Sequence, residues 1–446
     1  MHNKVKRIGI ISDNTLSYVE TIIDIWNEGS SAVLLNNHTP IHTIAEVLEI
    51  TGAKECYVED RLLDSLSSIS NNLILKSLPN PGTSAQKLKK RIRKKYKESF
   101  SENEAVVLFS SGTTGIPKGV RLSHKSITQN AHDIISFYKI TSSDSILISR
   151  SLFYSSPLVT ELLVALITNA DVIIQPSITP PRVTLKNIYS YNITIFGTNP
   201  SILKNLIASP SPISATFKSL RMICVSGEKI EIDTYNNAKA FFGSIPINLV
   251  YGMTELGPRV TAQNEQFHTL GSSGVPIGKT EIDIRDNSGM SLQHDKIGLI
   301  WVKSESAFSG YLMQDNSTNT LFVDGWFCTG DIGKVSANEL FVVGRNDNVI
   351  ILNAHKVIPE SLETIIIQDL KVYDCIVTLS PTGLYLVCFY TGKKLSRKES
   401  LQILSERLIS YEIPKQFVRV QSIKRKNGKK DRNYYRTLKN VEAVEE

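Results

Sequence analysis

The apolar residues of this chain fall into short runs separated by stretches of helical periodicity. Residues 7–12 and 32–35 are rich in aliphatic side chains, and between them Val19, Ile22, Ile23 and Trp26 recur at the spacing of one helix face. Asp13, Asn14 and Thr15 stand where that helix would be capped. A second amphipathic segment, 41–50, is closed by Gly52 and followed by another short strand at 55–58. Strands alternating with helices of about ten residues predict parallel βαβ units. After a polar, basic spacer (80–104) the alternation resumes, with strands expected at 105–109, 145–149, 171–175, 193–197 and 220–225 and helices at 125–137, 158–167, 183–189 and 201–207. From Gly278 the period drops to two, through Ile282, Ile284 and 299–302 around a turn at 286–289, which predicts antiparallel strands of a smaller β subdomain spanning about 278–343. The C-terminal stretch returns to a mixed pattern, with a helix from Glu360, strands at 375–379 and 385–390 and a helix at 400–408. The expected fold class is α/β: a large N-terminal domain of layered, mostly parallel sheets with a small β subdomain, then a small α+β unit.

Composition narrows the setting. A chain of 446 residues exceeds one ordinary domain, and its apolar content of 41% suffices for a sizeable core. No run of about eighteen apolar residues occurs, and the N-terminus opens with His2, Lys4, Lys6 and Arg7 without an apolar stretch behind them. Neither a membrane span nor a secretory leader is expected. The five cysteines, Cys56, Cys224, Cys328, Cys375 and Cys388, are scattered and form no CxxC pair, which points to a reducing cytoplasm and against a zinc site or disulfide scaffold. The net charge of +7 is concentrated in 87–97 (KLKKRIRKKYK) and 424–436 (KRKNGKKDRNYYR). Such runs suit nucleic acid, the phosphates of a nucleotide or coenzyme, or an acidic carrier protein. The first run reads as a solvated helix face or linker, and no nucleic-acid partner is expected.

The candidate chemistry begins where residues 105–109 run into LFSSGTTGIPKGV. A strand delivering a loop of glycines, hydroxyls and one lysine gathers backbone N–H groups, side-chain O–H groups and an ammonium at one point, which suits a polyphosphate. The P-loop of kinases and ATPases needs Gly, four residues and Gly-Lys-Ser/Thr, and that spacing fails here because the fifth residue after Gly112 is Pro117 and Gly119 follows Lys118. The candidate phosphate contacts are Ser110, Ser111, Gly112, Thr113, Thr114, Gly115 and Lys118.

This stretch resembles the phosphate-binding signature of the adenylate-forming enzymes, the superfamily of acyl- and aryl-CoA synthetases, nonribosomal peptide adenylation domains and luciferases. Further motifs follow in that superfamily's order. VSGEK, with Gly227, Glu228 and Lys229, resembles the segment that lines the adenine. VYGMTELG resembles the YGxTE motif: Tyr251, Gly252 and Met253 would line the nucleotide, Thr254 would meet the α-phosphate, and Glu255 would supply the hard oxygen that Mg²⁺ prefers. GWFCTGD resembles the motif whose aspartate, here Asp331, accepts from both ribose hydroxyls. GRNDNVIILNAHKVIPESLE resembles the hinge motif, with Arg345 toward ribose and phosphate and Asp347 as the pivot; Asn348, Ile351 and Ala354 stand where the superfamily has an acid, a lysine and a glycine. IKRKNGKKDR resembles the terminal motif that carries the catalytic lysine, placing Lys429 in that role with Lys430 as its rival. Phe153 and Tyr154 occupy the place of a Phe-His pair beside the carboxylate substrate, either lining the pocket or packing in the core. Leu158, Val159, Leu162 and Leu163 suit either an acyl pocket or a helix core.

The resemblance implies an N-terminal adenylation core over 1–346 and a mobile C-terminal lid over 347–446. It implies ATP-dependent activation of a small carboxylic acid to acyl-AMP, with Mg²⁺, then transfer to the thiol of coenzyme A or of the phosphopantetheine on a separate carrier protein. The early start of the fold leans the acceptor toward a carrier protein. A nucleotide-binding protein of the same fold that does not turn over is the alternative.

Overall fold

The computed structural model describes residues 5–69, 73–110, 118–209, 217–312, 321–352, 355–426 and 429–438. The chain divides into two compact units, residues 1–282 with 302–327, and residues 283–301 with 328–446.

Two sheets build the first unit. One has seven strands in the order Gly310–Tyr311, Lys118–Ser123, Glu104–Ser110, Ser31–Leu35, Arg7–Ile11, Glu55–Glu59 and Ile74–Leu78. Its pairs are parallel from Glu104–Ser110 to Ile74–Leu78 and antiparallel at the opposite edge. The helices Leu16–Asn27 and Ile41–Thr51 make the parallel crossovers the pattern predicts. Thr15 caps the first through its hydroxyl, and Gly52 ends the second at φ 69°. Asp13 and Asn14 do not cap: Asp13 accepts from the backbone of Ser177, and Asn14 reaches the backbone of Arg150 and Leu152.

The second sheet runs Val275–Pro276, Thr261–Ala262, Ile247–Tyr251, Met222–Val225, Ile195–Thr198, Ser145–Ile148, Asp171–Ile174 and Gln86–Lys87. Its five central strands are parallel, and the remaining pairs are antiparallel. Phe196, Leu203, Leu206 and Ile223 pack one of its faces against helices. Leu158, Val159, Leu162 and Leu163 are buried, which makes them core. Their segment, expected as an ordinary helix, is a π-helix over Leu158–Leu163.

The basic run 87–97 is in part the solvated helix face expected of it, with Lys89, Lys90, Arg91 and Lys94 exposed around the buried Ile92, but it is tied down at several points. Lys87 pairs in register with Ile173 at the sheet edge, and Lys90–Arg93 forms a single helical turn. Lys87 meets Asp171 at 2.6 Å, Arg91 and Lys95 both meet Glu20, and Arg93 donates to the carbonyls of Asn169 and Ala170. Acids brought from distant segments neutralise charges that look unopposed along the sequence.

In the second unit Trp326–Ser336 pairs antiparallel with Glu339–Arg345, as the period-two pattern predicts. A hairpin of Ile350–Leu352 and His355–Val357 leads to the helix Pro359–Leu370. That helix covers a mixed sheet of Asp374–Leu379, Leu386–Thr391 and Gln416–Arg419 over a core containing Val357, Ile366, Cys375 and Leu404. Among the described residues no helix is long and apolar enough to cross a membrane.

Candidate functional site

In the first unit the site grows from an antiparallel hairpin. Ser110 pairs with Lys118 and Phe109 with Gly119, so the loop between them is closed at its base by the ladder. Ser111, Gly112, Thr113, Thr114 and Gly115 lie outside the described residues. Beside the hairpin runs Gly310–Tyr311, and Leu312 donates its N–H to Gly119 O at 2.7 Å. A methyl on Gly119 would sit 3.0 Å from Leu312 Cβ, so glycine lets this seam close tightly.

That seam carries Tyr311 to the YGMTE segment. The Tyr311 hydroxyl donates to Glu255 Oε1 at 2.9 Å, and Lys118 Nζ lies 5.3 Å from the centre of the Tyr311 ring. Glu255 is buried in the short 3-10 turn Thr254–Leu256, and its carbonyl accepts from Phe308 N. Thr254 Oγ1 shares a hydrogen bond of 3.0 Å with Ser155 Oγ. Asn130, on the helix His124–Tyr138, clamps the backbone of Arg259 with two hydrogen bonds and steadies the same segment from below. Lys118 and Glu255 thus come together on Tyr311, while Thr254, next to Glu255, bonds Ser155.

The remaining first-unit candidates are placed as follows. Tyr251 pairs with Thr261 and is half-buried, and Gly252 packs against the Pro258 carbonyl. Met253 precedes the 3-10 turn in extended conformation. Gly227 adopts φ 103° in the turn after Met222–Val225, Lys229 is exposed, and Glu228 accepts from Ser201 Oγ at 3.0 Å. The Phe153 and Tyr154 rings touch with centres 4.0 Å apart and planes tilted by 40°, and Tyr154 is exposed, so it is not a core residue. Ser155 and Tyr311 were not singled out from the sequence. Ser155 adjoins the aromatic pair, but its bond to a residue 99 positions away has no sequence signal.

In the second unit Asp331 is buried opposite Arg345, whose Nη1 donates to Asp331 Oδ1 at 3.0 Å while Nη2 lies 3.5 Å from Asp347 Oδ2. The residues expected to hold ribose and to form the hinge are therefore one cluster. Asn348 donates to Glu360 Oε1 and accepts from Arg436 Nη2, so its amide does in this chain what a second acid could not do alone. Ala354 lies outside the described residues.

The terminal motif is a hairpin of Arg425–Lys426 and Lys429–Lys430 followed by the helix Arg432–Arg436. Glu363 accepts a bidentate pair from Arg432 at 2.7 and 2.8 Å. Lys430 contacts Asp374 Oδ1 at 2.7 Å, the Cys375 carbonyl at 2.6 Å and Glu363 at 3.5 Å. Burial works against its charge, but Glu363 and Asp374 outweigh that and hold its pKa above the ordinary lysine range. Lys429 is exposed on the opposite face of the strand.

Among the described residues no three His, Cys, Asp or Glu side chains gather to hold a metal ion by themselves. One buried carboxylate anchored by a tyrosine suits Mg²⁺, which usually takes one or two protein carboxylates and completes its shell with phosphate oxygens and water.

The profile of the AMP-binding enzyme family matches residues 2–312. The chain is 24% identical over 418 residues to a feruloyl-CoA synthase of an Amycolatopsis species, covering 92% of this chain and 84% of that protein. It is 25% identical over 451 residues to a naringenin synthase of Pestalotiopsis fici, of whose length it spans only 16%. Its fold is similar to that of ATP-bound MatB from Rhodopseudomonas palustris, with a TM-score of 0.88 at 20% identity, covering 99% of this chain and 90% of that one.

Proposed function

The chain belongs to the AMP-binding enzyme family, and from that premise we propose that it activates a small carboxylic acid with ATP and passes the acyl group to a phosphopantetheine thiol. A carboxylate oxygen attacks the α-phosphorus of ATP, the bond to the bridging oxygen breaks, and pyrophosphate leaves with that electron pair. The product is acyl-AMP. In the second step the thiol loses its proton to solvent, sulfur attacks the acyl carbon, and AMP departs. Because the protein supplies no nucleophile, positioning and charge stabilisation carry the rate.

The observation that carries this reading is the gathering of Lys118 and Glu255 on Tyr311, with Thr254 next to Glu255 in the chain, at the base of the phosphate hairpin. Thr254 and Lys118 would contact phosphate oxygens, and Tyr251, Gly252 and Met253 with the Gly227–Lys229 turn would receive the adenine. Glu255 would hold Mg²⁺, which when bound offsets charge on the phosphates. Asp331 and Arg345 would hold the ribose, and Asp347 would be the pivot of a lid over 347–446. Lys429 is the residue for the attacking carboxylate and the nucleotide, because Lys430 is committed to Asp374 and Glu363. Coenzyme A is favoured as the acceptor by the likeness to a feruloyl-CoA synthase. In the basic run Lys87, Arg91 and Lys95 are already paired, and Lys89, Lys90 and Lys94 are the exposed charges a docked carrier would have to use.

The test is carboxylate-dependent exchange of pyrophosphate into ATP across fatty, aryl and amino acids. Exchange with one class establishes adenylation and names the substrate. Tight Mg·ATP binding with no exchange by any acid would sink the proposal in favour of a nucleotide-binding protein that does not turn over.

A further inference from the structure

Arg150 and Glu161, which flank the Phe153–Tyr154 segment in the chain, form a buried ion pair, only 9% and 2% exposed. The sequence marks neither residue. Glu161 sits on the π-helical turn Leu158–Leu163, a rare geometry that often occurs at functional sites. Gly197, on the neighbouring strand, leaves the space: a methyl there would overlap the Glu161 carboxylate. Asn14 holds the backbone on either side, donating to Arg150 O at 2.9 Å and accepting from Leu152 N at 2.9 Å.

This pair is an expensive way to fill a core. Arg150 Nε and Glu161 Oε2 are buried without a hydrogen-bond partner among the described residues. Burial pushes the Glu161 carboxyl above its ordinary range, and Arg150 and Arg259 pull only partly the other way. Replacing such a pair with apolar residues of similar volume is often neutral or stabilising, so fold stability alone does not account for it.

The guanidinium has other partners. Its Nη1 donates to Ser226 Oγ at 2.8 Å and its Nη2 to Ser156 Oγ at 3.2 Å. Ser226 opens the Gly227–Lys229 turn and is tied to Thr198 O through its N–H; Ser156 follows Ser155, which bonds Thr254. We propose that Arg150, oriented by Glu161, is a positioning residue that holds the Ser226 turn and the Ser155–Ser156 segment in the arrangement that binds nucleotide. Two of its N–H groups reach hydroxyls on two separate segments while the carboxylate prevents the fork from rotating. This rests on the nucleotide role proposed for the turn, and it does not require that the protein turn over.

The deciding measurement is Mg·ATP affinity by calorimetry with no acid present, so a protein that binds ATP without exchanging pyrophosphate would sink the activation reading and leave this comparison intact. The double variant R150M/E161L removes both charges at similar volume and should melt close to the parent while binding Mg·ATP about tenfold more weakly. R150K keeps a partner for Glu161 but cannot reach both serines, and should show the same loss. S226A should weaken binding in the same direction, and R150K/S226A should lose no more than R150K, since both act through one contact. Unchanged ATP affinity in R150K and in a folded R150M/E161L would overturn the proposal, as would fully additive losses for R150K and S226A.

Discussion

Successive side chains of a strand leave opposite faces, and at Lys429–Lys430 that alternation sends one ammonium to solvent and the other among Glu363, Asp374 and the Cys375 carbonyl. The two lysines should therefore fail differently. Lys429→Ala should lower acid-dependent pyrophosphate exchange by about 10²–10³-fold while leaving Mg·ATP affinity nearly unchanged, the loss expected for one preorganised charge donor. Lys430→Met should instead cost about 2 kcal/mol of stability in denaturant titrations, because it leaves buried acceptors short of a donor. If Lys430→Met abolished exchange at unchanged stability and Lys429→Ala did not, the roles would be reversed. Tyr311 is the second residue with a sharp expectation. Tyr311→Phe frees the Glu255 carboxylate and should raise the Mg²⁺ concentration for half-maximal exchange by about tenfold, the usual effect of losing a group that orients a metal ligand.

At the scale of elements, the phosphate hairpin is held at the end away from its loop. Glu104 accepts from Arg7 Nε at 2.7 Å and Nη2 at 2.9 Å and from Arg121 Nε at 2.8 Å, so the first strand, the loop strand and its return share one buried carboxylate. Burial raises the Glu104 pKa, but Arg7 and then Arg121 outweigh it and hold the value below the ordinary range. A carboxyl whose folded pKa is depressed contributes stability that is fully present above its unfolded pKa of about 4.3 and is lost as pH falls through the folded value. Melting temperature should fall with acidification in that window, and Glu104→Gln should flatten the fall while costing about 3 kcal/mol near neutral pH. An unchanged acid slope in the variant would show that other carboxylates set it.

For the whole molecule, the two basic runs are the feature the fold changes most. In the first, Lys87, Arg91, Arg93 and Lys95 meet Glu20 or Asp171 while Lys89, Lys90 and Lys94 stay exposed, and the second is folded into a hairpin and helix with Arg425 on Asp374 and Arg432 on Glu363. An acceptor drawn by long-range attraction to the first run should show a KM that rises with salt and with neutralisation of Lys89, Lys90 and Lys94. Coenzyme A bound away from this run should instead keep its KM unchanged in a variant with those three lysines replaced by glutamine. A rise in KM confined to a carrier-protein acceptor would restore the run as a docking surface.

The sequence by itself determined the α/β class, the parallel crossovers and the order of the motifs. These are written in local periodicity and in contiguous residue types, which need no knowledge of what packs where. Even locally it missed the Ile74–Leu78 edge strand, half-exposed and interrupted by Lys76 and Ser77, and it read 158–167 as one plain helix because residues 158–166 are apolar at seven of nine positions, too uniform a run to show the wider spacing of a π turn. Only the tertiary structure brought Tyr311 to Glu255 across 56 positions, Asn14 to Arg150 across 136, and Arg150 to Ser226 across 76. Such contacts depend on strand order and register, and on how deeply each charge is buried. Two adjacent lysines, or a lone arginine beside an aromatic pair, carry none of that information until the sheets are assembled around them.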